Sequence, residues 1–217
     1  MTAIAVPAPQ EPVDPVRAFI DRTAGRLFAA AGFTPNQVTV LGTLVALSGC
    51  AVWTQQTHSP KLYWVGWGLT LGGTGLDALD GSVARVRNMH TRFGGLLDSL
   101  TDRVVETAIW AALFWLCSAD WGRLGCLLAL AGSFMVSYTR AKAELDGLRG
   151  TAGWGSRQVR LPLLAVCVLA AHWTGYNWVG WPVAVLAWLT VIQRAGSINR
   201  QLSPSDDPTS WGHGGQL

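Results

Sequence analysis

Asp77 and Asp80 stand three residues apart, and Asp98 and Asp102 four apart, within stretches that are otherwise largely apolar. On a helix either spacing projects both carboxylates from one face. Burying even one ionised carboxylate costs several kcal/mol, about the size of a whole ion-pair contribution, so four together need neutralising. Divalent cations do this, and an all-oxygen donor set suits Mg²⁺, Mn²⁺ or Ca²⁺ rather than zinc or copper. Two other readings fit the same acids: a salt-bridge network with Arg85, Arg87, Arg92 and Arg103, or a water-facing channel lining. Gly72, Gly73, Gly75, Gly81, Ala84, Gly94 and Gly95 cluster around the acids. Such small residues let a flat ligand or a second helix come close to the backbone. Acids ready for metal, a small-residue floor and the adjacent Arg85 together suit a diphosphate ester.

The elements that must position these residues are hydrophobic. Of 217 residues, 50% are hydrophobic and 13% charged, which excludes an ordinary water-soluble globule. Residues 34–60 and 161–193 contain no Asp, Glu, Lys or Arg, and each stretch exceeds the length that crosses a bilayer. Six membrane spans are expected, near 34–56, 62–87, 93–119, 124–143, 160–174 and 178–195, giving an all-α polytopic fold. Thr34-Pro35-Asn36-Gln37 reads as an N-cap, a Pro in the first turn and a capping-box Gln at the start of the first span. Ahead of it, Val16, Phe19, Ile20, Leu27 and Phe28 recur at helical spacing and predict an interfacial amphipathic helix that Gly32 ends. Residues 1–13, rich in proline, are expected to form a disordered leader, residues 14–202 the membrane domain, and residues 203–217 a disordered tail.

With the amino terminus cytoplasmic, six spans put fourteen Lys and Arg residues on the inner side, leaving Lys61 and Arg123 outside. That asymmetry follows the positive-inside rule and predicts a multi-pass plasma-membrane protein with its acidic site facing the cytoplasm. A net charge of +3 with no basic run gives no expectation of nucleic acid. Cys50, Cys117, Cys126 and Cys167 sit in apolar surroundings without metal-ligand spacing and read as small buried hydrophobes. His90 reads as a loop residue and His172 as an interfacial or packed one.

Asp77-Ala78-Leu79-Asp80-Gly81-Ser82-Val83-Ala84-Arg85, eight further residues, and Gly94 through Asp98 to Asp102 form D-x-x-D-G-x-x-A-R-x8-G-x-x-x-D-x-x-x-D. This resembles the full signature of the CDP-alcohol phosphotransferases. The resemblance implies that Asp77, Asp80, Asp98 and Asp102 hold Mg²⁺ or Mn²⁺ and that Asp102 also takes the acceptor's proton. It implies that Gly81, Ala84 and Gly94 line a cytidine pocket and that Arg85 meets the nucleotide's phosphates. The expected donor is CDP-diacylglycerol, the expected by-product CMP, and the expected assembly a homodimer among membrane lipids.

A narrower resemblance concerns the acceptor. Val136-Ser137-Tyr138-Thr139-Arg140-Ala141-Lys142-Ala143-Glu144, with Arg157 and Arg160 beyond, is similar to the segment with which one branch of that family, the actinobacterial phosphatidylinositol-phosphate synthases, binds the phosphate of inositol phosphate. Arg140 and Lys142 exchange that branch's Lys and Arg, and Ser156 and Val159 stand where it has Glu. The expected acceptor is a small polyol phosphate, inositol phosphate first and glycerol 3-phosphate second, held by Ser137, Arg140, Arg157 and Arg160. Ordinary inner-leaflet anchoring also accounts for these cations. A cation transporter or channel is the non-enzymatic alternative.

Overall fold

Polar caps and left-handed turns punctuate a chain that is otherwise helix after helix. The computed structural model describes residues 21–77, 79–89 and 91–202. The expected leader and tail, His90, and the Val16, Phe19 and Ile20 portion of the amphipathic helix lie outside the described residues. Among the described residues the secondary structure is entirely helical. A short π-turn, Asp21–Gly25, leads into α1, Arg26–Ala30. The longer helices follow: α2 (Pro35–Trp53), α3 (Lys61–Asp77), α4 (Asp80–Arg87), α5 (Arg92–Leu116), α6 (Asp120–Leu145), α7 (Arg157–Thr174) and α8 (Gly180–Leu202).

Local chemistry explains the boundaries. Gly32 takes φ of 87°, its N–H bonds the Ala29 carbonyl, and the Phe33 N–H bonds that of Phe28. This is a Schellman ending, closed by edge-to-face contact of Phe28 and Phe33 at 5.6 Å. At the start of α2 the capping box forms: Thr34 Oγ1 accepts from the Gln37 amide at 3.4 Å, and Gln37 Oε1 accepts from the Thr34 amide at 2.9 Å. Asn88, at φ 51°, stops α4 in the left-handed conformation that Asn tolerates. Thr91 Oγ1 accepts from the Gly94 amide at 2.9 Å and caps α5.

The chain divides between Val105 and Glu106, inside α5, into two units. In the first, α2 and α3 approach closely because neither has side chains in the way. A Cβ on Gly73 would stand 2.3 Å from the Ala46 nitrogen, and one on Gly49 would stand 2.4 Å from the Thr70 nitrogen. Trp53 and Trp67 pack at 5.1 Å. Such small-residue seams let helices associate through dispersion where no aqueous driving force operates. In the second unit α6 packs on α8 in the same way, with a Gly180 Cβ position only 2.4 Å from the Gly125 carbonyl carbon. Gln201, Arg194, Gln193 and Thr190 on α8 bond backbone groups of Arg149, Ala152, Trp154 and Gly155, stitching the α6–α7 connection to that helix.

One expected helix differs. The 62–87 stretch is not one helix: α3 stops at Asp77, the Leu79 N–H reaches back to Leu76 O at 2.9 Å, and α4 begins at Asp80. This three-residue bond tightens the step, so Asp77 closes one helix and Asp80 opens the next.

Among the described residues two helical segments, Pro35–Thr57 and Asp120–Leu145, are long and apolar enough to cross a membrane, and 44% and 33% of their apolar windows are buried. More than half of each therefore faces outward. Trp115, Trp173, Val166 and Ile192, each at least 63% exposed, give the surface the same apolar character. All four cysteines are buried free thiols, and His172 lies edge-on to Trp173 at 5.2 Å.

Candidate active site

Three of the four signature acids converge. Asp77 at the end of α3 and Asp98 and Asp102 one turn apart on α5 each offer a carboxylate oxygen, all within 4.8 Å of one another. Asp77 is 6% exposed and Asp102 8%, and the two lie within hydrogen-bonding reach. At this spacing each ionised pair repels by about 3.5 kcal/mol at an effective dielectric of about 20. Asp77 Oδ1 is buried and has no hydrogen-bond partner among the described residues. A buried anionic oxygen left without a donor, facing two further carboxylates, is what a hard cation satisfies. The donor set therefore fits Mg²⁺ or Mn²⁺.

Asp80, the first residue of α4, stands outside this tight cluster. Thr39 Oγ1 donates to Asp80 Oδ2 at 2.5 Å, and the Thr39 hydroxyl also lies 3.1 Å from the Pro35 carbonyl. Thr39 is 2% exposed. The Gly81 amide and the charge of Arg85 also act on the Asp80 carboxylate, and the charges of Asp80 and Asp98 both bear on Asp77. The four acids thus form one electrostatic group even though only three share the tight cluster.

The alternative of a salt-bridge network fails for Arg87, whose Nη1 donates to the Gly32 and Phe33 carbonyls at 3.1 and 2.7 Å. Arg85 Nη2 donates to Ser82 Oγ at 3.1 Å.

A cavity of about 160 Å³ opens beside the acids, and Asp80, Gly81, Ala84, Gly94 and Asp98 all line it. Three of the four residues expected to meet a nucleotide are therefore together, and the fourth, Arg85, lies 3.5 Å from where a Gly81 Cβ would be. A Cβ on Gly94 would come within 3.2 Å of Asn36 Oδ1, so a side chain there would crowd the cavity. Asn36 and Thr91 also line it. Sequence reasoning treated Asn36 only as part of a helix start; its place in the first turn of α2, beside the acids, emerges from the fold.

The expected acceptor residues have unequal surroundings. Arg140 Nε pairs with Glu144 at 2.7 Å, with both side chains more than half exposed. Ser137 Oγ donates to the Ser133 carbonyl at 3.2 Å, one turn back. Arg157 opens α7, half-buried. Arg160 is 2% exposed: it donates to the Gly155 carbonyl at 2.6 Å and pairs with Glu106 at 3.5 Å.

Two residues of this region were missed. Glu106 stands four after Asp102 as an acid in an apolar run, a signal that was there to be read. Arg194 is 3% exposed and donates to the Ala152 and Val136 carbonyls. Arg140 and Arg160 are near enough for their charges to act on it, with Glu144 opposing. Counting Arg194 only as an inner-face anchor hid it.

Helical architecture, the acidic cluster and the glycine-floored cavity define a metal-dependent transferase of phosphate esters. The chain belongs to the CDP-alcohol phosphatidyltransferase family, whose profile matches residues 33–193, and is an enzyme of phosphatidyl transfer. It is 34% identical over 176 residues to a phosphatidylinositol phosphate synthase of Mycobacteroides abscessus, covering 77% of this chain and 78% of that protein. It is likewise 34% identical over 180 residues to an archaetidylinositol phosphate synthase of Pyrococcus horikoshii, covering 82% and 90%. The crystal structure of Mycobacterium tuberculosis phosphatidylinositol phosphate synthase with CDP-DAG bound superposes with a TM-score of 0.74 at 27% identity, covering 83% of this chain and 94% of that one. The same enzyme in complex with manganese and citrate gives 0.73 at 27% identity, covering 82% and 88%.

Proposed function

We propose that this enzyme transfers the phosphatidyl group of CDP-diacylglycerol to a hydroxyl of inositol phosphate and releases CMP. The acceptor oxygen forms a bond to the lipid-bearing phosphorus, the bond from that phosphorus to the bridging oxygen breaks, and the acceptor's proton passes to Asp102. Asp77, Asp80, Asp98 and Asp102 hold the divalent cations. When bound, Mg²⁺ or Mn²⁺ withdraws charge from the diphosphate and stabilises the departing CMP. Gly81, Ala84 and Gly94 leave room for the cytidine, and Arg85 contacts its phosphates. Ser137, Arg140 and Arg157 bind the acceptor's phosphate, and Arg160 and Arg194 build the surrounding positive field.

The single observation that carries this reading is the convergence of Asp77, Asp98 and Asp102 within 4.8 Å beside a cavity floored by Gly81 and Gly94. Synthases of the inositol phosphate lipids among the relatives support the acceptor. One relative is named for an archaetidyl and another for a phosphatidyl product, so the acceptor is the shared feature and the diacyl donor follows the mycobacterial proteins.

The setting proposed is a plasma membrane crossed six times by α2, α3 with α4, α5, α6, α7 and α8, with the site on the cytoplasmic side. The amphipathic segment before Gly32 lies at the headgroups, residues 14–202 form the membrane domain, residues 1–13 and 203–217 are appendages, and two copies associate. A panel of inositol phosphate, glycerol 3-phosphate and free inositol, offered to purified protein with CDP-diacylglycerol and Mn²⁺, tests the acceptor by CMP release. Release with inositol phosphate far above the others is expected. Release with glycerol 3-phosphate alone overturns the acceptor and leaves the reaction class standing.

A further inference from the structure

The second unit holds a basic cavity outside the acceptor residues. It measures about 560 Å³ and is lined by Arg149, Thr151, Ala152, Ser197, Arg200 and Gln201. Its two ends come from different elements: Arg149 and Thr151 from the α6–α7 connection, Ser197 and Arg200 from the last turns of α8. Gln201 clamps them together, its Oε1 accepting from the Arg149 amide at 2.9 Å and its Nε2 donating to the Arg149 carbonyl at 3.1 Å. Arg194 holds the neighbouring Ala152 carbonyl from beneath at 3.0 Å. The backbone of the connection is thereby fixed against α8, and both guanidinium groups stay exposed.

Among the described residues no acidic side chain lines this cavity, and neither Arg149 nor Arg200 has an ion-pair partner. Nearby cations differ in having carboxylate partners: Arg140 pairs with Glu144, Lys142 with Asp146 and Arg160 with Glu106. Two guanidinium groups, the hydroxyls of Thr151 and Ser197 and a pre-ordered backbone make a donor-rich concavity. Guanidinium forks match tetrahedral oxyanions in bidentate fashion, and fixed donors reduce the entropy lost on binding. We infer that this cavity binds a phosphate group, borne by a free phosphate or by an anionic lipid headgroup, at a site separate from the acceptor residues.

The test uses the full chain purified in detergent, with R149Q/R200Q, R149K/R200K and R157Q compared with wild type. Inorganic phosphate is titrated by thermal shift, and retention of phosphatidylglycerol against phosphatidylcholine is read by native mass spectrometry. Phosphate affinity or phosphatidylglycerol retention at least tenfold weaker in R149Q/R200Q, largely kept in R149K/R200K and unaffected by R157Q, supports the site; CMP release keeps its wild-type rate and acceptor KM. Loss confined to the lipid arm assigns a headgroup, and loss in the phosphate arm a free anion. Wild-type behaviour of R149Q/R200Q in both arms overturns the inference. So does loss of both arms in R157Q alone, which returns all phosphate binding to the acceptor residues while leaving the proposed transfer reaction untouched.

Discussion

Replacing Arg160 by Ala separates a residue that binds substrate from one that holds the fold. Arg160 and Glu106 are both nearly sealed from solvent, their side chains 2% and 7% exposed, and 3.5 Å apart. Removing the guanidinium takes a cation from the buried carboxylate and also deprives the Gly155 carbonyl of its 2.6 Å donor. Breaking a buried pair from one side costs about 3–5 kcal/mol. At about 2–4 °C per kcal/mol for a chain of this size, the melting temperature should fall by about 6–20 °C. The four buried free thiols supply the assay, because a thiol-reactive fluorogenic dye labels them only as the protein opens. R160A should melt early, while R160M/E106L, which replaces the pair with apolar groups, recovers most of the loss. A wild-type melt for R160A combined with a raised acceptor KM would refute the reasoning and make Arg160 a direct phosphate ligand.

Thr39→Ala removes the hydroxyl that orients Asp80, a charge-assisted bond of about 1.5–3 kcal/mol. The apparent KM for Mn²⁺ should rise about tenfold to hundredfold, Thr39→Ser should restore it, and the KM for acceptor should stay put. Gly73→Ala drives a methyl to 2.3 Å from the Ala46 nitrogen and should destabilise by about 1–3 kcal/mol or more in the same dye assay, whereas Gly72→Ala meets nothing within 4 Å and should melt within a degree or two of wild type. Arg157→Ala should raise KM for a phosphorylated acceptor and leave that for the CDP-lipid nearly unchanged; equal effects on both would remove Arg157 from the acceptor site.

Features governed by neighbours in sequence were legible. The capping box of Thr34 and Gln37, the stop at Gly32 and the long apolar helices all follow from local propensity and periodicity, and the structure reproduces them. The fixed spacing of the signature announced Asp77, Asp80, Asp98 and Asp102 as a group, of which Asp77, Asp98 and Asp102 form the tight cluster. The break after Asp77 was not legible, since Leu79 is a good helix former with no proline beside it; an i→i−3 bond from Leu79 to Leu76 marks the step. Thr39 and Asp80 lie 41 residues apart, and nothing along the chain links a threonine of α2 to an acid that opens α4. In sequence Arg194 counts only among the anchoring cations and Arg160 among the acceptor residues; it is burial that sets both apart from the exposed Arg140.

The central claim is that Asp77, Asp98 and Asp102 converge to hold a divalent cation that serves the CDP-lipid. Mn²⁺ binding to the purified enzyme, followed by electron paramagnetic resonance with and without CDP-diacylglycerol, tests it without depending on turnover. Bound Mn²⁺ in the wild type, tightened by the CDP-lipid and largely lost in D98N at an unchanged melting temperature, is the predicted result. Mn²⁺ binding in D98N equal to that of the wild type, with the same response to the CDP-lipid, would contradict the account.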